Sequence, residues 1–471
     1  MRSAALLLLV CGCASVSPKP AFDDVARTVH ERDGAALYWD EGTAADDAVK
    51  ARVHKLVAGE LLPDTAVEVA LLRNQGLVAT YEQLGIGQAD LVQAGLLRNP
   101  SLGARARFPS SGPGGFVETD FSVTQDFLDL LTLPLRKRVA AAQLDAVKAR
   151  VAGAVIDLAT QVRSALVTLQ AAQAVAEMRR LVLDAQDAAV ELRRRQHAVG
   201  NVSDLDLAQE EASFQQGRLE LGRAEAQVSD DREQVNRLLG LWGAESASWK
   251  VDSTLAPLPE EEPALEHVES LAVERRFDLA AARAESAALE QAASLAGLSR
   301  FLPALQLGVS TGRDSEGTRI TGPELSLELP IFDQGQARAA RLLSQVRQAR
   351  ARQAELAVNI RAETRSLRNR LLAARAVAEH YRTVLLPLRE QIVKEAQVRY
   401  NAMLLGVFQL LLARREQIEA YRDYLESVRG YWIARAELTR AVGGSLQPPG
   451  RIPYGVPTQP NQPNQNQQEK P

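Results

Sequence analysis

The stretch LLRNPSL (Leu96–Leu102) returns in altered form as LSRFLPAL (Leu298–Leu305). Pro100 falls on Pro303, an offset of 203 residues, and the same offset carries Gly200 to Met403, Leu207 to Leu410 and Gly240 to Gly443. Upstream, ALLRNQGL (Ala70–Leu77) falls on AVERRFDL (Ala272–Leu279), one residue out of step. A unit of this size read twice predicts two pseudo-symmetric halves. Each half reads as a helix with a proline stop, two short alternating segments, one very long helix, a turn and a returning helix.

The alternating segments have the period of strands with one apolar and one polar face. Leu102, Ala104, Ala106 and Phe108 alternate with Gly103, Arg105 and Arg107, and Phe121 and Val123 alternate with Asp120, Ser122 and Thr124. In the second half Leu305, Leu307 and Val309 alternate with Gln306, Gly308 and Ser310, and Leu325, Leu327 and Leu329 alternate with Ser326 and Glu328. Strands are expected at about 102–109, 116–126, 303–311 and 319–330. Each is about the length of a tilted strand that crosses a bilayer. The alternation also fits a pair of surface hairpins on a soluble domain.

After each strand pair comes a helix of unusual length. The first is expected over about 134–199, with Pro134 in its first turn, a span of roughly 100 Å at 1.5 Å per residue. The second is expected over about 336–402, with Pro387 as its kink. Such helices need a partner along their length. Leu158, Val162, Ala165, Leu169, Ala172 and Ala176 recur at heptad spacing, as do Leu371, Ala374, Ala378, Tyr381, Leu385, Leu388 and Ile392. Returning helices are expected over 203–240, capped by Ser203, and about 407–443. Ahead of the first strands, Thr65 and Glu68 stand at capping-box spacing, and that helix is expected to run to about Arg98, before Pro100.

These readings divide the chain into a signal over 1–12, a mostly extended lead with short helical pieces over 13–62 and a first repeat over 63–248. A proline- and glutamate-rich linker over 249–266, a second repeat over 267–443 and a tail over 444–471 follow. The tail is rich in proline, glutamine and asparagine and has too little apolar surface to fold.

The chain has 471 residues and a net charge of −4, which gives no reason to expect nucleic acid. Its two cysteines, Cys11 and Cys13, support neither a disulfide framework nor a metal site. They close a short positive and apolar start of secretory type, too short to span a bilayer. The ending Val10-Cys11-Gly12-Cys13 is similar to a bacterial lipobox, with Cys13 as the lipidated residue; an ordinary signal peptide with incidental cysteines fits the same stretch. His30, His54, His197, His267 and His380 show no ligand-like spacing. No phosphate loop, nucleophile elbow or HExxH is present, so an enzyme is not expected.

Four amphipathic strands cannot close a membrane barrel, whose smallest bacterial form has eight, and unpaired edges are not tolerated in lipid. Strands that cross a membrane must then be shared, twelve from three chains. In this architecture, over roughly Ala35 to Gly443, the chain resembles the TolC-like outer-membrane factor family. The resemblance is carried by the lipobox, the helix starts, the four strands and the paired turns HAVGNVSDLDL (His197–Leu207) and YNAMLLGVFQL (Tyr400–Leu410). The stretch Ala70–Leu102 looks most like the branch serving heavy-metal (cobalt–zinc–cadmium type) resistance–nodulation–division pumps.

The resemblance implies a mainly α fold with a membrane β part. It implies a homotrimer with a shared twelve-stranded outer-membrane barrel, a long periplasmic helical barrel, a periplasmic adaptor protein and an inner-membrane pump. It implies a passive duct without cofactor. An alternative of the same class is a type I protein-secretion duct, and one of another class is a lipid-anchored periplasmic scaffold without a pore. The tip positions that match the family's adaptor contact and gate are Gly200, Ser203, Leu205 and Asp206 in the first turn, and Leu404, Gly406 and Phe408 in the second. Met403 stands where the family's second turn has glycine. Asp204 and Asp206 fit a carboxylate ring at a trimer's constriction, and equally fit acids placed at a helix N-terminus by its dipole. Arg105 and Arg107 alternate with apolar neighbours and are expected to face the barrel lumen. Lipidation is open to direct test: Cys13→Ser should abolish acyl labelling, and a mature N-terminus well beyond residue 13 in wild-type protein, unmodified by mass spectrometry, would contradict it.

Overall fold

The computed structural model describes residues 16–39, 44–108, 117–299, 305–313 and 316–446. Cys11, Cys13 and the tail from residue 447 lie outside these. The chain forms two compact units. One gathers the stretch up to Thr28 with Gln75–Val155 and Ala272–Ala362; the other gathers Val29–Asn74, Ile156–Leu271 and the chain from Glu363.

The lead, expected to be mostly extended with short helical pieces, has its helical pieces at α1 (Lys19–Asp33) and α2 (Ala44–Val57), which take up more of it than expected. Phe22, Val25 and Val29 recur at spacings of three and four and are buried. They form one apolar stripe whose burial, rather than intrinsic propensity, makes the helix. The helix expected to run unbroken to Arg98 is two helices, α3 (Pro63–Arg73) and α4 (Gln75–Ala94). Asn74 separates them in extended conformation, and its side-chain amide donates to the Leu238 carbonyl at 2.8 Å. The Thr65 hydroxyl accepts from Leu62 N–H at 2.9 Å, so Thr65 is the third residue of a helix opened by Pro63. Glu68 makes no cap; it pairs with Arg52 at 2.9 Å.

In the first unit, β1 (Ser101–Arg107) and β2 (Glu118–Asp126) join the later β3 (Leu305–Arg313) and β4 (Arg319–Leu327) in one antiparallel sheet, in chain order. Helix α5 (Leu128–Ala198) leaves β2 at once. Asp126 accepts from Leu128 N–H at 3.0 Å and caps it, so the helix begins six residues ahead of Pro134. In the second unit α6 (Asp204–Leu239) returns along α5, joined by Arg179–Glu220 at 2.6 Å, Arg180–Glu225 at 2.7 Å and Arg194–Glu211 at 2.9 Å.

A short helix, α7 (Ala244–Ser248), opens the linker. The second repeat follows with α8 (Val268–Arg275) and α9 (Phe277–Ser299), divided at Arg276 as the first repeat is at Asn74. Beyond β4 come α10 (Gln336–His380), a π turn (Tyr381–Leu385), α11 (Leu386–Asn401) and α12 (Val407–Ala441).

The π turn corrects the expected seam. Pro387 has no N–H to donate back to Thr383, and Leu386 N–H donates to Tyr381 five residues back instead. One extra residue enters the turn and rotates everything after it by about 100°. Leu371 and Ala378, ahead of the turn, are buried as expected, whereas Leu388 and Ile392 beyond it are exposed and Val393 and Ala396 take the buried place. The two repeats then fall into register. Buried Val162, Leu169 and Ala176 match buried Thr364, Leu371 and Ala378 at an offset of 202, and buried Val190 matches Val393 at 203.

The linker is pinned in the second unit by a buried ion cluster. Glu262 bridges Arg375 at 3.0 Å and Arg435 at 3.2 Å, and accepts a hydrogen bond from the Tyr431 hydroxyl. Arg375 also donates to the Pro259 and Glu260 carbonyls at 3.0 and 2.8 Å, and the Trp432 indole N–H to the Ala256 carbonyl at 2.8 Å. Burial, reinforced by the Glu262 carboxylate, pushes the Tyr431 phenol above its ordinary value. Removing the acid leaves Arg435 without its carboxylate, while Arg375 keeps Glu379 at 2.9 Å and the two linker carbonyls. Glu262→Ala is therefore expected to cost roughly 2–4 kcal/mol, with Glu262→Gln milder. Thermal unfolding, with faster limited proteolysis inside 249–263, checks this.

Candidate functional site: the strand sheet and the two hairpin tips

The cross-strand register sorts the sheet's residues into two faces. Leu102, Val123, Val309 and Pro323 stand in one row, and Leu307 opposite Leu325 and Leu305 opposite Leu327 stand in others on the same face. This face is apolar and exposed, with Leu102 at 78% and Leu325 at 66%. Towards the hairpin loops it turns polar, ending in the row Thr119, Arg313 and Arg319. The opposite face carries Arg105, Arg107, Glu118, Asp120, Ser122, Ser310 and Glu324, with Gly103, Gly308 and Gly312 among them.

Arg105 and Arg107 both lie on the polar face. Arg107 pairs across the strands with Glu118 at 3.3 Å, and Arg105 stands opposite Asp120. With Ser310 and Arg313 they line a cavity of about 220 Å³. Strands β1 and β4 each pair on one side only among the described residues, so the sheet has two open edges.

In the second unit the two helix-hairpin turns have the same backbone. Gly200 N–H donates to His197 at 2.9 Å and Asn201 N–H to Gln196 at 2.9 Å; Met403 N–H donates to Tyr400 at 2.9 Å and Leu404 N–H to Arg399 at 2.8 Å. Each is a Schellman closure, which needs a left-handed residue. Gly200 supplies it with φ of 78°. Met403 supplies it with φ of 57°, as the only non-glycine of positive φ among the described residues, and its side chain is 94% exposed. The far ends repeat the device at Gly240 and Gly443, with φ of 68° and 76°.

The side chains of the two turns differ. At the first, Ser203 Oγ caps α6 by accepting from Asp206 N–H at 3.2 Å and donates to the Asp206 carboxylate at 2.8 Å. Asp204, fully exposed, meets His197 Nε2 at 2.6 Å across the turn. This contact was not legible among scattered histidines; the signal is their seven-residue spacing around Gly200. Leu205 is exposed. At the second, Gly406 is the residue before α12, its N–H donating to Gln409 Oε1 at 3.1 Å. Leu404 is exposed, and Phe408 is the second residue of α12. Val393, Ala396, Leu410 and Ala413 form a small apolar core behind this turn. Among the described residues no three histidine, cysteine, aspartate or glutamate side chains converge as a metal site.

Comparison with solved structures places this architecture. A membrane protein from Pseudomonas aeruginosa superposes with a TM-score of 0.71 at 20% identity, over 81% of this chain and 92% of that one. The outer membrane protein VceC from Vibrio cholerae gives 0.67 at 20% identity, over 84% and 97%. CusC, studied for folding and transmembrane channel formation, gives 0.67 at 16% identity, over 81% and 92%. No family model and no curated protein matches the chain. The chain has the TolC-like fold of these outer-membrane channels.

The left-handed residue of the second tip is open to test. A side chain at positive φ costs about 1–2 kcal/mol, partly offset by the greater freedom glycine has when unfolded. Met403→Gly is expected to stabilise the protein by about 0.5–1 kcal/mol. A Cβ added at Gly200 meets nothing within 4 Å, so Gly200→Ala reports conformation alone and is expected to cost about 1 kcal/mol. Thermal unfolding of both variants in detergent checks the pair, and a destabilised Met403→Gly would contradict it.

Proposed function

We propose that the chain is the outer-membrane exit duct of a tripartite efflux pump. The observation that carries this reading is the sheet: one exposed apolar face, one charged face and two open edges, joined to long helices that turn back twice. Three copies close the edges into a twelve-stranded barrel, the apolar face towards lipid and Arg105 and Arg107 towards the lumen. The long helices form the periplasmic passage. Their tips, at Gly200, Ser203, Asp204, Leu205 and Asp206 and at Leu404, Gly406 and Phe408, meet a periplasmic adaptor and set the opening. An inner-membrane resistance–nodulation–division transporter supplies the energy. The duct makes and breaks no covalent bond and needs no cofactor. Cys13, as a lipidated residue, adds a second anchor to the same membrane. Efflux of heavy-metal cations is the finer reading, supported by the resemblance of Ala70–Leu102 to that branch.

Native mass spectrometry of the detergent-extracted protein should give a trimer, and planar bilayers should show discrete conductance. A folded monomer rules out the shared barrel; a trimer without conductance points to a scaffold. Asp204→Ala with Asp206→Ala should change conductance or its cation block while trimer and insertion persist, and the change should shrink with salt. Unaltered cation block in the inserted double variant would assign both residues to helix capping alone.

A further inference from the structure

The first helical turns beyond the strands carry a pattern that conduction does not use. Where the chain leaves the sheet, Leu130, Leu131, Leu329, Ile331 and Phe332 are all exposed, Phe332 at 92%. Leu130 and Leu131 lie in the first turn of α5, and Leu329, Ile331 and Phe332 lie in the segment between β4 and α10. Immediately beyond them stand four exposed cations, Lys137 and Arg138 on α5 and Arg338 and Arg341 on α10. Lys137 follows Leu130 by seven residues, and Arg138 follows Leu131 by seven. Each cation therefore lies on the same side of α5 as its leucine, about 10 Å further along. Arg338 and Arg341 are three apart and so are neighbours on α10.

None of the four has an ion pair among the described residues. The carboxylates close to them in sequence are otherwise engaged. Asp126 and Asp129 are bridged by Arg98 at 3.5 and 3.4 Å, and Arg136 approaches Asp129 at 3.7 Å. Asp333 accepts from Gly335 N–H at 2.8 Å within its own turn. Glu328 stands between Leu327 and Leu329, on the polar side of the alternation.

We propose that Lys137, Arg138, Arg338 and Arg341 bind the phosphate headgroups of anionic phospholipids in the leaflet bordering the helices. The exposed leucines, Ile331 and Phe332 lie in its acyl edge. The inference rests on the membrane-barrel reading. The occupant is argued from order and charge: apolar side chains, then unpaired cations one to two turns on, follow the order of acyl chains and headgroups across a leaflet. Guanidinium groups suit phosphate through paired N–H donors, and basic side chains beside a membrane are drawn to anionic lipid within a Debye length. A soluble protein partner would account for the cations but not for the exposed apolar side chains that separate them from the strands.

The test uses the full chain, reconstituted in vesicles of phosphatidylcholine alone and with added phosphatidylglycerol, then extracted for native mass spectrometry of retained lipid. Wild type should insert in both and retain phosphatidylglycerol in preference, less so at high salt. The variant K137Q/R138Q/R338Q/R341Q should still insert in phosphatidylcholine but lose at least about ten-fold of that preference. K137R/R138K/R338K/R341K should keep most of it. Equal retention of both lipids by wild type, or an undiminished preference in the glutamine variant, overturns the proposal. So does a glutamine variant that no longer inserts in phosphatidylcholine, which would assign the four residues to folding. A wild-type chain that inserts in neither vesicle sinks the duct reading itself.

Discussion

The edges of the sheet are the constraint on which the rest depends. Strands β1 and β4 present rows of peptide N–H and C=O groups with partners on one side only. In water such edges are tolerable, but in hydrocarbon each unsatisfied group costs several kcal/mol. The face joining them is apolar and exposed, so the sheet is poorly suited to water as well. The requirement is met when the edge of one chain pairs with the edge of the next. Closure then joins sequence to assembly: the alternation that makes the face apolar also makes a lone chain incomplete. Eight strands are the smallest bacterial barrel, so four strands in one chain cannot close one alone.

Duplication supplies the rest of the architecture, and a single residue shows how closely the halves are tied. The repeats run at an offset of 202 through the middle of the long helices and 203 at their tips. An extra residue inside a helix would turn one flank away from its partner. Here it is confined to the π turn at Tyr381–Leu385, beside a proline that cannot complete the α ladder. Both flanks keep their buried stripes, Leu371 and Ala378 on one side and Val393 and Ala396 on the other. The turn is a correction of phase, and it lets the second tip close with the same pair of backbone hydrogen bonds as the first.

What could be read from the sequence followed from periodicity. Four strands, two very long helices and two returning helices each carry their signal over enough residues to be seen. The N-terminal helices α1 and α2 are short, and their apolar stripes are made decisive by burial. The breaks at Asn74 and Arg276 depend on tertiary context; Asn74 holds a carbonyl of a helix end 164 residues away. The Pro387 kink was legible as a disturbance, but its form was not, because proline permits a bend or a change of register and only the packing of Val393 chooses. At the tips the turns were legible in Gly200 and in the repeat. The His197–Asp204 contact was not, since it needs the closed turn to bring the two residues together.

The tips also show what duplication leaves free. Their backbones agree bond for bond, yet Tyr400 stands where His197 does, and Val407 where Asp204 does. The first turn is polar, with a capped helix start and an exposed carboxylate; the second is apolar, with Met403 and Leu404 in solvent. Selection for backbone geometry alone would favour glycine at position 403, as at position 200. A methionine held there at positive φ, with nearly its whole side chain exposed, gains little from burial within its own chain. In the proposed trimer three polar and three apolar turns would line the mouth. A partner would then face two chemically different contacts set on one repeated backbone, so that rotating it by a single tip would mismatch charge and apolar surface together.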